Sequence, residues 1–175
     1  MSVHNEPIPL VLGGIAISQH SGPIRQRYEA IGGSTEFRLS GGTGIKLTHW
    51  SKTATSASGT GYLDPGFDAL DFAAPQELLC VQPRAIVGTS RVFALPAASN
   101  RRPDVEPWGW ARVGAHWVDT SVALSGDSAE LAEVQGASQY RVFWLPRLVI
   151  FSDGLVKEFD EGTGLYDWSL EAREV

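Results

Sequence analysis

The chain has 175 residues, of which 43% are hydrophobic and 19% charged, so its composition is that of a globular protein with a real core and not of a disordered chain. Its net charge of −6 argues against nucleic-acid binding, because that binding depends on Lys and Arg side chains that neutralise phosphates.

Cysteine usage and hydropathy limit the cellular setting. Cys80 is the single cysteine, so the fold cannot depend on an internal disulfide, and its apolar neighbours predict a buried side chain. The first 14 residues lack the basic start of a secretory signal, and no stretch approaches the roughly 18 apolar residues of a membrane helix. We therefore expect a protein made in a cytoplasm, without membrane insertion.

The first half of the chain predicts short strands separated by glycine-rich turns. Residues 8–18 predict a bent strand or two short strands around Gly13 and Gly14. Residues 24–31 predict a strand that ends at Gly32 and Gly33. Residues 35–40 and 45–50 alternate between apolar and polar side chains, and the glycine-rich loop at 41–44 predicts that they form a hairpin.

The second half continues in the same way, and residues 85–87 and 91–95 predict a pair of strands joined by a turn at residues 88–90. Three prolines and few apolar residues predict an exposed loop at residues 96–107. Residues 125–135 contain the one plausible helix, with Ser128 as its N-cap, although a strand is an alternative there. Residues 165–175 predict a final strand, with Trp168 and Leu170 on one face.

These elements indicate an all-β fold. Turn signals every eight to twelve residues or so are typical of an antiparallel β-sandwich or a partly closed barrel, here with long loops and at most one short helix. No linker divides the chain, so we expect a single β domain over residues 1–175 with an exposed loop around 96–107.

The search for catalytic, cofactor or metal residues finds no pattern that favours them. The loop from Gly41 to Lys46 lacks the spacing of a phosphate-binding loop, and no Gly-x-Ser-x-Gly elbow is present. The histidines lack zinc-motif spacing; they are His4, His20, His49 and His116.

Three aspartates lie in one loop, at Asp64, Asp68 and Asp71. Paired carboxylates could perform glycosidase chemistry or bind calcium, but we favour a role in solvating the loop and capping its turns. We expect a protein that is not an enzyme and has no cofactor.

Candidate interface residues lie at and after the loop at 96–107. Arg101 and Arg102 form the only adjacent basic pair, and Trp108, Trp110 and Trp117 follow closely. Surface tryptophans anchor protein interfaces or stack on sugar rings, whereas alternating tryptophans on a strand can equally fill a core. We favour the core, with the interface and carbohydrate alternatives left open.

The segment IRQRYEAIGGSTEFRLSGGTGIKLTHWSKTATSASGTGYLDPGFDALDF, together with the terminal YDWSLEAREV, resembles minor tail proteins of long-tailed bacteriophages, near the distal tail protein. The resemblance covers about half of the chain and contains no catalytic motif. It implies a β-sandwich protomer that assembles as a symmetric homo-oligomeric ring in the virion. Such rings, assembled in the host cytoplasm, join the tail tube to the baseplate hub or fibres.

The resemblance makes other tail proteins, the tube, hub and fibres, the expected partners. The alternative function is a carbohydrate-binding β-sandwich that recognises the host surface through the three tryptophans.

Overall fold

The computed structural model describes residues 7–175, and its regular secondary structure is almost entirely strand. Two short 3₁₀ turns, Gln19–Ser21 and Ala98–Asn100, are the helical elements of this range. The strands are β1 Val11–Leu12, β2 Ile15–Ala16, β3 Arg25–Arg38, β4 Gly44–Gly61, β5 Gln76–Leu79, β6 Arg84–Gly88, β7 Val92–Ala94, β8 Trp108–Val113, β9 His116–Thr120, β10 Val122–Ser125, β11 Ser128–Leu131, β12 Ala137–Trp144, β13 Arg147–Phe151, β14 Leu155–Asp160 and β15 Leu165–Glu174. The sheets are antiparallel and none of them closes into a barrel over residues 7–175, which confirms the predicted all-β, sandwich-like class.

The chain divides into two compact units that interleave in sequence. Unit 1 contains the described residues up to Ile17 together with Glu77–Leu148, and unit 2 contains Ser18–Gln76 together with Val149–Val175. The chain passes between the units at three points, after Ile17, Gln76 and Leu148, and none of them carries a Pro- or Gly-rich linker of the kind that marks a boundary in sequence.

Unit 1 is a sandwich of two small sheets. One sheet has the order β10-β11-β7 and the other the order β6-β12-β8-β9. Alternate residues of β12 are buried because the side chains of a strand point to opposite faces. The core between the sheets consists of Phe93, Leu95, Ala111, Ala129, Leu131, Tyr140, Val142 and Trp144. Each of its large apolar side chains contributes about 1.5–3 kcal/mol through burial.

Unit 2 is built on the last strand. β15 pairs with β4 on one side and with β14 and the end of β13 on the other, and β4 then pairs with β3. Trp168, Leu170 and Ala172 are buried on one face of β15, as the alternation predicts. The Trp168 indole N–H donates to the Ser21 carbonyl at 2.9 Å, which fixes the buried ring.

Three local expectations were wrong. Residues 125–135 contain no helix, because Ser128–Leu131 forms β11 and buries Ala129 and Leu131 at period two. Gly32 and Gly33 do not end the strand, which continues to Arg38. The expected pairing of β6 with β7 is absent, since β6 pairs with β12 and β7 pairs with β11.

Candidate assembly surfaces

The most exposed element of unit 2 is a two-stranded ribbon, residues 32–51 of β3 and β4, which we call the arm. Strands β3 and β4 pair from Arg25↔Ser58 out to Arg38↔Gly44, whereas β15 pairs with β4 only over Ala54 to Gly61. Beyond that limit, no strand from residues 7–175 pairs with the hairpin as a third strand. Isolated two-stranded ribbons are marginally stable in water, so this length of unsupported hairpin needs an explanation.

The two faces of the arm differ in chemistry. Cross-strand partners share a face, and the pairs Phe37↔Ile45 and Thr35↔Leu47 place three apolar side chains together. On the opposite face Lys46 Nζ lies 3.8 Å from the Glu36 carboxylate. We call the first surface the apolar face of the arm and the second its polar face.

A β-bulge adds a tryptophan to the apolar face. The register shifts between Gly33 and Ser34, so His49 is the extra residue of the bulge and Trp50 pairs with Gly33. Gly33 and Phe37 are an even number of residues apart on β3, so Trp50 lies on the same face as Phe37. The Trp50 ring lies over Gly33, since a Cβ added there would be 2.6 Å from the indole nitrogen. Glycine at position 33 therefore makes room for the tryptophan.

The apolar face is open to solvent. Trp50 is 52% exposed, Leu47 49% and Phe37 42%, and Leu39 at the turn is 50% exposed. Single exposed apolar residues are ordinary on proteins, but their clustering on one face of the ribbon makes this face a candidate interaction surface.

A groove of about 510 Å³ continues from the arm along the same side of the unit 2 sheet. Its floor carries four charged residues at the corners of a rectangle, Arg27 and Glu29 on β3 and Glu171 and Arg173 on β15. Ala54 and Ser56 of β4 lie between them, and Phe72 and Phe151 form the rim. We call these four residues the charge quartet.

The predicted tryptophans form an aromatic cluster in unit 1, on the face of the four-stranded sheet opposite the core. Trp108 is stacked on Phe143 with ring centroids 5.4 Å apart, and Trp110 meets the same ring edge-on at 4.8 Å. The Arg141 guanidinium lies 4.7 Å from the centre of the Trp117 ring. All three tryptophans are half-buried and lie outside the unit 1 core, so the expectation that they fill the core was wrong. Carbohydrate binding stays a prediction.

Arg101 and Arg102 are not surface residues. The Arg102 guanidinium is fully buried, donates to both carboxylate oxygens of Asp104 at 2.7 and 3.0 Å, and donates to the carbonyls of Pro9 and Cys80. Arg101 donates to the Asp127 carboxylate at 3.0 Å. Exposed loop residues remain around them, at 97–100 and 103–104. In this conformation the pair holds the loop to unit 1 and is not available to a partner.

The aspartate loop is accounted for by internal contacts. Lys157 Nζ lies 3.0 Å from Asp64 and 2.6 Å from Asp68, while Asp71 accepts from the backbone N–H of Ala73. Burial raises the pKa of Asp64, but the Gly66 backbone N–H and the Lys157 ammonium outweigh it and hold that pKa below its ordinary value. Among residues 7–175 no cluster of three or more acidic, His or Cys side chains is placed to hold a metal.

The remaining candidates are dispersed. His20 packs against Tyr62, His49 shares a hydrogen bond with Thr35 Oγ1 at 3.2 Å, and His116 is exposed. His4 lies outside the described residues. The loop after Ser40 is the turn of the arm, as the hairpin interpretation predicts.

Comparison of the sequence with models of known protein families gives no match, and comparison with curated proteins gives none either. Within residues 7–175 there is no helix with the length and hydropathy needed to cross a membrane.

Proposed function

We propose that this chain is a structural subunit of a bacteriophage tail tip, a minor or distal tail protein that assembles as a homo-oligomeric ring. In this role it links the tail tube to the baseplate hub or fibres, acts without catalysis, and has itself and other tail proteins as partners. The sequence resemblance described above supports the placement in a phage tail, and the exposed apolar face of the arm supports assembly into a larger structure.

The observation that carries the proposal is the exposed apolar face of the arm. An isolated subunit would hold Phe37, Leu47 and Trp50 in water on a ribbon that no third strand of the described chain supports. Covering such side chains stabilises them by roughly 25 cal/mol for each Å² removed from water. A subunit of a larger assembly has a reason to carry this surface, since it is covered once the neighbours are in place.

The first test is the mass of the purified chain in solution by light scattering, followed by negative-stain imaging. We expect a closed ring, alone or after addition of tail proteins from the same phage, and the chain itself among virion proteins by mass spectrometry. A chain that stays monomeric with those proteins and is absent from virions would refute the proposal.

A matched pair of variants tests the part played by the arm. Leu47→Lys places a charge on the apolar face and should abolish ring formation, whereas Thr48→Lys, its exposed neighbour in sequence, should not. Equal ring formation by both variants would show that the arm does not drive assembly.

A further inference from the structure

We propose that two copies of this chain pair through the charge quartet and the apolar face of the arm, about a two-fold axis parallel to β4. The proposal rests on the assembly role argued above and names the surface and the symmetry of one self-contact. Because a two-fold contact closes on itself, it links the subunits of a ring in pairs, and a second, different contact must join the pairs.

The charge quartet has the arrangement that such pairing requires. Arg27 and Glu171 are both level with Ser56, and Glu29 and Arg173 are both level with Ala54. Adjacent strands are about 4.8 Å apart, so each level places opposite charges about 10 Å apart on one floor. Rotation about an axis along β4 places Arg27 of one copy over Glu171 of the other, and Glu29 over Arg173. All four corners then meet an opposite charge.

The small residues at the centre of the quartet permit close approach. Ala54 and Ser56 lie between the charged corners, so no bulky side chain of β4 separates the two sheets there. β3 is an edge strand and ends its sheet. In the paired arrangement β3 of one copy lies over β15 of the other, inside the groove and beside the exposed Phe151 at its rim.

The same axis covers the arms. Since β4 of one copy lies over β4 of the other and runs in the same direction, Ile45, Leu47 and Trp50 of the two copies face one another. Packed sheets keep their strand directions within about 30° of each other and lie about 10 Å apart, which suits parallel β4 strands with side chains of this size. The polar faces, with Glu36 and Lys46, remain in water. One symmetry operation therefore accounts for both open surfaces of unit 2.

The test uses two charge-reversal variants of the full chain, Arg27→Glu and Glu171→Arg, examined by analytical ultracentrifugation alone and mixed. Each variant alone places like charges at two corners of its own dimer, so we expect its dimer dissociation constant to rise by about a hundredfold. In the mixture the new carboxylate of one variant faces the new guanidinium of the other, and the unchanged Arg27 faces the unchanged Glu171. The mixed dimer should therefore form nearly as well as wild type. Neither variant carries a second change that could compensate within its own chain, so recovery of the dimer in the mixture can come only from contact between the two copies.

Controls keep the result interpretable. Arg27 forms an ion pair with Glu29, but both side chains are largely exposed, so reversal should leave folding intact and the near-ultraviolet circular dichroism unchanged. Lys46→Glu alters a charge of similar exposure on the polar face and should leave the dimer unchanged.

Three outcomes would each overturn this inference. The wild type could stay monomeric at its highest soluble concentration, the single variants could dimerise like the wild type, or the mixture could fail to form the mixed dimer. If rings form in both charge-reversal variants, the two-fold contact is refuted while the tail role is not. If a dimer depends on the charge quartet but the chain is absent from virions, the two-fold contact is supported and the tail role is refuted.

Discussion

Arg102 shows how a single side chain can hold a loop in place. Its guanidinium is fully buried and satisfied by one carboxylate and two carbonyls, from Asp104, Pro9 and Cys80. It thus ties the loop after β7 to two segments that are distant in sequence. The same guanidinium holds the pKa of Asp104 below its ordinary value through hydrogen bonds and charge.

Arg102→Ala should lower the free energy of unfolding by about 3 kcal/mol, because it leaves buried carbonyls without a donor and removes the partner of Asp104. Chemical denaturation measures this change, and Arg112→Ala, at an exposed position, is the control that should change little. The Asp104 contribution is present above the unfolded pKa of 3.8 and is lost as pH falls through the lower folded value. The difference between variant and wild type should therefore shrink in acid; a constant difference would contradict the role of Asp104.

At the same scale, the sequence predicted what depends on near neighbours. The alternation at Trp168 and Leu170 follows from strand geometry, and both are buried as expected. The burial of Arg101 and Arg102 could not be predicted, because two adjacent arginines in a proline-rich loop are usually solvated. Only the folded chain brings Asp127 and the carbonyl of Cys80 to them.

The arm is the element that we expect assembly to stabilise most. Among residues 7–175, its backbone pairs only within the hairpin, so opening the hairpin breaks few tertiary contacts. By hydrogen exchange with mass spectrometry, we expect residues 34–50 to exchange faster than β15 in the unassembled chain and to become protected in the assembly.

β15 is the internal reference in this experiment, because it pairs on both sides within unit 2. Arm amides that exchange as slowly as those of β15 before assembly, or that gain no protection afterwards, would show that the ribbon does not need a partner.

The sequence predicted the arm as a hairpin but not its length. Gly32 and Gly33 indicated a strand end because glycine usually weakens strands. Here Gly33 is required by the Trp50 ring above it, a contact set by a bulge that no local pattern specifies. The hairpin of β10 and β11 turns at Gly126-Asp127, and Gly126 has a φ of 61°, as the first position of a type II′ turn requires. This glycine was the hairpin signal that the helix prediction for residues 125–135 missed.

For the whole molecule, the spacing of turn signals identified the all-β class, because frequent turns and the lack of crossover helices leave few alternatives. The two interleaved units were not foreseen, since each is completed by a segment that returns after a long excursion. Neither the faces of the arm nor the charge quartet could be placed without the register of β3, β4 and β15, because a shift of one residue would reverse every side chain.

Redox conditions should have no effect on the whole fold. Cys80 is the single cysteine and is fully buried, and a thiol reacts only as an accessible thiolate. A thiol reagent should therefore leave the native chain unmodified and label it stoichiometrically after denaturation. Val156→Cys, at a position 72% exposed on β14, is the control that should react in the folded state. If the native wild type were labelled as fast as that variant, unit 1 would open around Cys80 under native conditions. The hydrogen bond from Arg102 to the Cys80 carbonyl would then open as well.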